Sequence, residues 1–246
     1  MLLRLDRALS EFTALPRSEI RKKIRSGAVQ VNGSAVQNAA LHVDTVSDRL
    51  LLDNEPVRCG PLYLMLNKPR GVVSATRSPG ERTVLDLVPP SLRRKNLFPA
   101  GRLDKDTVGF LLLTDDGAFA HAILSPKRHV PKTYLVRAEG TPREGFAAAF
   151  REGMALSGGE RCRPAELNIL TAGEGLLEAR VVLHEGMYHQ IKRMFAEFGC
   201  TVIYLKREKM GGLALDESLA EGECRILETE EIQRILPPET EGAQKP

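Results

Sequence analysis

The sequence predicts an α+β protein, with a small helical and hairpin unit at its start and a larger region of strands and helices after it. In the first 25 residues apolar side chains recur at helical spacing. Short apolar runs bounded by Gly, Pro, Asn and Asp follow, which is the pattern of strands. Between those runs lie helix-start signals and one clear apolar stripe.

Each element has its own reason. Leu5, Leu9 and Phe12 define a first helix that Pro16 ends. Ser18 stands where an N-cap would open a second helix, with Ile20 and Ile24 on one face and Gly27 at its far end. Arg17, Arg21 and Arg25 form an i, i+4, i+8 row on that helix, turned away from its apolar face. Val29 to Val31 alternate and run into Asn32-Gly33, a strong hairpin signal. Gly60 and Pro61 then mark a boundary before a strand at 62–66. A polar loop at 101–107 feeds an apolar strand at 108–113, closed by Asp115-Asp116-Gly117. A strand is expected at 132–137, and Thr141-Pro142-Arg143-Glu144 reads as a capping box for a helix through Glu152. Ile191, Met194, Phe195 and Phe198 share one stripe of a helix starting near His189, with Lys192 on its shoulder and Arg193 facing solvent or RNA. The expected division is 1–59, 60–236 and a polar tail at 237–246.

Composition narrows the function. The chain has 246 residues, 35 Lys+Arg and 32 Asp+Glu, a formal net charge of +3. That small total hides an uneven spread: residues 1–25 carry seven bases and three acids, while 217–246 carry three bases and eight acids. Basic faces balanced by an acidic end suit contact with phosphates, although any single run reads more simply as a solvated helix face. Apolar runs such as 62–66 and 108–113 fall far short of the ~20 residues that span a bilayer. Arg4, Asp6 and Arg7 interrupt the run a signal peptide would need. Cys59, Cys162, Cys200 and Cys224 are scattered without any C-x-x-C, which suits reduced thiols and a cytoplasmic protein. His184 and His189 are five apart around Gly186, which fails as a zinc-protease helix, so no metal is expected.

Two sets of residues carry a family resemblance. The segment LDRALSEFTALPRSEIRKKIRSGAVQVNG, from Leu5, resembles the S-four RNA-binding module. LNKPRG from Leu66 is similar to one motif of the pseudouridine synthases, and GRLDKDTVGFLLLTDDG from Gly101 to their signature. KTY at Lys132 to Tyr134 and EGMYHQIKRMFAEFGCTVIYLKREKMGGLAL from Glu185 are similar to their later motifs. The TDDG and YHQIKRMF forms resemble most the branch acting on small-subunit ribosomal RNA. Phe110 stands where the family usually has Leu, a conservative change within a strand.

The residues alone leave Asp104 and Asp106 open as ordinary turn formers. The resemblance implies that Asp104 is the nucleophile. It also implies that Tyr134 stacks on the target base, that Lys192 pairs with the carboxylate, and that Leu205 walls the uracil pocket, with Arg102 beside the substrate. Arg4, Arg17, Arg21, Lys22, Arg25, Lys68 and Arg193 are expected to touch RNA. The implied layout is a mixed, mostly antiparallel sheet with flanking helices behind the RNA-binding module. The implied reaction is isomerisation of a uridine, at family site uridine-516 of 16S ribosomal RNA in a partly assembled small subunit, by a monomer. That reaction is neither redox nor hydrolytic, so no cofactor is expected. Three other readings stay open at this point: action on 23S ribosomal RNA, a catalytically silent assembly factor, and an N-glycosidase that releases free base.

Overall fold

A computed structural model describes residues 1–125, 128 and 130–236, so the expected tail at 237–246 lies outside the described residues. The opening unit runs β1 (Leu2–Arg4), α1 (Leu5–Phe12), α2 (Arg17–Arg25), β2 (Val29–Val31), β3 (Ser34–Ala35), β4 (His42–Asp44), β5 (Leu50–Leu52) and β6 (Glu55–Pro56). α1 and α2 form because Leu5, Ala8 and Leu9 of one meet Ile20 and Ile24 of the other in a core completed by Val29, Val43 and Leu50. α2 opens differently from expectation. Ser18 caps nothing; the carbonyl of Pro16 accepts from the backbone N–H of Glu19 (2.9 Å) and Ile20 (3.1 Å), so Arg17 is the first helical residue. Asn32 and Gly33 take φ of 53° and 83°, as a two-residue hairpin with matched twist requires, and join β2 to β3.

The rest of the chain adds β7 (Tyr63–Lys68), β8 (Phe98–Pro99), β9 (Val108–Thr114), α3 (Gly117–Leu124), β10 (Lys132–Glu139) and α4 (Phe146–Glu152). It continues with β11 (Glu166–Gly173), β12 (Leu176–Leu183), α5 (Gln190–Ala196), β13 (Thr201–Met210), β14 (Leu213–Ala214), β15 (Cys224–Ile226) and α6 (Thr229–Ile235). Among the described residues these strands make one sheet in the order β11-β12-β10-β13-β9-β7-β15, with β14 on β13 and β8 on β9. Its ladders are antiparallel except β13 with β9, which is parallel, so the sheet is mixed and mostly antiparallel.

β9 is buried at every position. Its Leu111 and Leu113 join one core with Leu64, Val136 and Phe195, while Phe110 and Leu112 join another with Met65, Ile123 and Ile235. Successive side chains of a strand point to opposite faces, so both faces of the sheet are covered by helices. On the first face Phe146 of α4 meets Phe150, Phe195 and Phe198 edge-on, with centroids 5.1–5.3 Å apart.

α4 corrects a second expected cap. The box at Thr141 and Glu144 does not form. The Arg143 N–H donates to the Phe198 carbonyl (3.1 Å) and its guanidinium to the Glu197 carbonyl, which draws this segment onto the end of α5. Gly145 then turns through φ 83°, and the helix begins at Phe146. It ends at Glu152, where the sequence puts its end.

Arg94, almost buried, ties the opening unit to the sheet. It donates to the Arg58 and Gly60 carbonyls and to Asp115, each at 2.6 Å, and lies 5.3 Å above the Phe12 ring. Asp115 also accepts from the Leu62 N–H (2.7 Å), and Asp116 caps α3 at the Phe119 N–H (2.9 Å). Both carboxylates of the TDDG turn therefore have structural work.

Candidate active site

The loop at 101–107 is held by the segment that leaves β7. Lys68 Nζ donates to the carbonyls of Pro69 (3.1 Å), Lys105 (3.2 Å) and Thr107 (2.8 Å). The Gly71 N–H donates to Lys105 O (2.7 Å), and Ser74 Oγ donates to Leu103 O (2.8 Å) while accepting from its N–H (3.1 Å). An irregular loop needs partners for its carbonyls, and this segment supplies them. The finding overturns the expectation that Lys68 touches RNA. Lys68 is fully buried, with its three donors pointing at main-chain carbonyls. Burial pushes its pKa down to about 8, although the carboxylates of Asp106 and Asp104 pull the other way.

On that braced loop Asp104 faces α5. Lys192 Nζ lies 3.2 Å from its Oδ2, and His189 Nε2 lies 3.6 Å from its Oδ1. Lys192 also pairs with Asp106 at 2.6 Å, so one ammonium spans two carboxylates. Burial works against the charge on Lys192, yet the hydrogen bonds it donates to Asp106 and Asp104 outweigh that and hold its pKa above the usual lysine value. Burial would raise the Asp106 pKa; the Lys192 bond and charge bring it below the usual carboxylate value instead. Asp104 keeps about a quarter of its side chain exposed, so an incoming group can reach it.

One apolar core joins the sheet to this loop and to α5. Tyr134 and Val136 of β10, Leu205 of β13 and Leu103 of the loop belong to one buried cluster with Ile191 of α5. Opposite Tyr134 in the ladder is Arg207, buried, whose Nε donates to the Phe110 carbonyl at 2.6 Å. β9 and β13 approach closely there because Gly109 lacks a side chain: a Cβ would sit 2.4 Å from the Arg207 carbonyl, and φ is 96°. This contact sets the loop that precedes β9 against the strand that carries Leu205.

The residues expected at the RNA surface divide. Arg4, Arg17 and Arg21 converge on Asp6, a carboxylate with no exposed surface, at 3.3, 2.8 and 2.8 Å. Each arginine side chain remains about half exposed, so the buried acid holds three cations together at the surface. Lys22 and Arg25 are exposed on the same helix, and Arg102 is exposed beside Asp104. Arg193 departs from expectation: its Nη2 pairs with Glu160 at 2.6 Å and donates to the Ser157 carbonyl, so it braces the 157–160 loop instead of facing solvent freely.

The family model described as RNA pseudouridylate synthase matches residues 62–197, and the S4 domain model matches residues 3–50. The chain belongs to the RNA pseudouridylate synthase family. It is 41% identical over 238 residues, 96% of this chain and all of the relative, to the uncharacterized RNA pseudouridine synthase YtzG of Bacillus subtilis. It is 40% identical over 237 residues, 95% of this chain and all of the relative, to ribosomal small subunit pseudouridine synthase A of Escherichia coli K12. A solved structure described as a pseudouridylate synthase superposes with a TM-score of 0.65 at 40% identity, covering 95% of this chain and all of that one. As a pseudouridine synthase the chain is an isomerase of RNA, and its sheet and opening unit are those of the family.

Sequence reasoning missed His189, Asp106 as a Lys192 partner, Ser74 and Asp6. His189 has a signal in sequence, since it sits in the YHQIKRMF segment. The others meet their partners across turns or long separations that no local pattern reports.

Proposed function

We propose that this pseudouridine synthase isomerises one uridine of 16S ribosomal RNA, with Asp104 as the nucleophile. The observation that carries the reading is the placement of Asp104 on a braced loop, its two oxygens facing Lys192 and His189. The relatives named ribosomal small subunit pseudouridine synthase support 16S over 23S RNA, and uridine-516 is the proposed site.

In this reading the target nucleotide leaves its stack, and its sugar meets Asp104. Lys192 sets a positive charge 3.2 Å from that carboxylate. The bond from N1 to C1′ breaks, the base turns, C5 bonds to C1′, the C5 proton is lost and N1 gains one. Atoms balance within the nucleoside, so the reaction calls for neither an oxidant nor water. Tyr134 stacks on the uracil while its hydroxyl is available for proton transfer, Leu205 walls the pocket, and Arg102 contacts the substrate beside Asp104.

Residues 1–59 serve as the RNA-gripping domain, through Arg4, Arg17, Arg21, Lys22 and Arg25, and 60–236 as the catalytic domain. The proposed setting is the cytoplasm, with a monomer acting on a partly assembled small subunit. Sequencing pseudouridines in ribosomal RNA from a strain lacking the protein tests the target. Loss of a single 16S pseudouridine is expected. A strain that keeps all of them while accumulating immature subunits would favour a silent assembly factor, and a lost 23S site would move the substrate.

A further inference from the structure

Next to Asp104 the chain exposes a large aromatic ring that the chemistry above does not use. Tyr188 is 75% exposed, whereas a tyrosine ordinarily covers most of its ring. One face of the ring is stacked on His189, with centroids 3.9 Å apart and planes 16° from parallel. His189 in turn reaches Asp104 at 3.6 Å.

The turn that presents these rings is firmly held. His189 takes φ 49°, an unusual conformation for a residue with a side chain. Buried Gln190 donates to Glu185 (2.6 Å) and accepts from the Met187 N–H (3.0 Å), and Arg193 Nη1 donates to the Tyr188 carbonyl (3.3 Å). The second face of Tyr188 is therefore open and fixed in place, one stacked ring away from the nucleophile.

We propose that Tyr188 is a stacking platform for the base adjoining the target uridine in the RNA. Swinging a nucleotide out of a strand deprives its neighbour of a stacking partner. An aromatic side chain replaces that partner without regard to base identity, since every base has a π-face. The 3.9 Å spacing of Tyr188 on His189 is that of stacked rings, so the neighbour's base continues a column already begun by the protein. This rests on Asp104 being the reacting centre. It makes Tyr188 a substrate-positioning residue, not a catalytic one.

The test is a cycle between protein and RNA. Tyr188→Ala and the wild type are assayed on partly assembled small subunits whose 16S RNA is intact or made abasic at the nucleotide before or after the target. On intact RNA the variant should raise KM about tenfold while kcat stays within twofold. On one of the two abasic RNAs the variant and the wild type should have equal KM. Tyr188→Phe, which keeps the ring face, should restore KM. An unchanged KM, or the same KM ratio on all three RNAs, would overturn the proposal. So would a fall in kcat alone, which would mean that the ring only steadies His189. Normal turnover by Asp104→Asn would instead remove the reading beneath it, and would do so without altering the KM ratios.

Discussion

Lys192 Nζ lies 3.2 Å from Asp104 Oδ2 and 2.6 Å from Asp106 Oδ1, so a single ammonium on α5 joins both acids of the loop before β9. Removing it leaves two neighbouring carboxylates without the ammonium they share. Lys192→Met is expected to slow single-turnover pseudouridine formation by roughly 100-fold while RNA affinity stays within a few-fold. Lys192→Arg keeps the charge and should lose much less. Equal losses in both variants would show that shape, not charge, is what the site needs.

Lys68 offers a sharp contrast between two kinds of lysine. A phosphate contact would show as a lower slope of RNA affinity against salt, by about one unit on a logarithmic plot. Buried against three carbonyls, Lys68 should not contribute to that slope. Lys68→Met is expected to cost about 2 kcal/mol of stability and to lower kcat through a loosened loop, with the salt slope unchanged. Denaturant unfolding and a salt titration on the same variant check both parts.

Asp6 links stability to pH. Burial opposes its charge, but the hydrogen bonds of Arg17, Arg21 and Arg4 lower its pKa well below the ordinary 3.8. A carboxylate whose folded pKa is depressed adds stability above its unfolded value and loses it as pH falls through the folded one. Wild-type stability should therefore decline below about pH 4, and Asp6→Asn should flatten that decline. At neutral pH the variant is expected to lose about 2 kcal/mol, less than a fully buried pair would, because the arginines are half exposed. Thermal melts between pH 2 and pH 7 read the difference.

Local pattern made much of this protein legible. The spacing of Leu5 and Leu9 and of Ile20 and Ile24, the Asn32-Gly33 turn, the apolar run of β9 and the stripe of α5 each follow from neighbours in sequence. The shoulder position of Lys192 came from the same stripe, and α5 does turn that side chain toward Asp104. What escaped depends on distant partners. Lys68 looks like a surface lysine until the carbonyls of Lys105 and Thr107, nearly forty residues on, close over it. Asp6 reads as one more charge in a basic helix until the fold folds Arg17 and Arg21 onto it. Arg193 points away from the stripe as the wheel requires, and only the 157–160 loop decides that it finds Glu160 there.

The most direct measurement is single-turnover pseudouridine formation by Asp104→Asn on a partly assembled small subunit that the wild type modifies, beside the affinity of the same variant for that particle. The substitution keeps the shape of the side chain and removes its charge and nucleophilicity. No product above background is expected, with affinity within a few-fold of wild type; turnover at the wild-type rate would contradict the role of Asp104 as nucleophile.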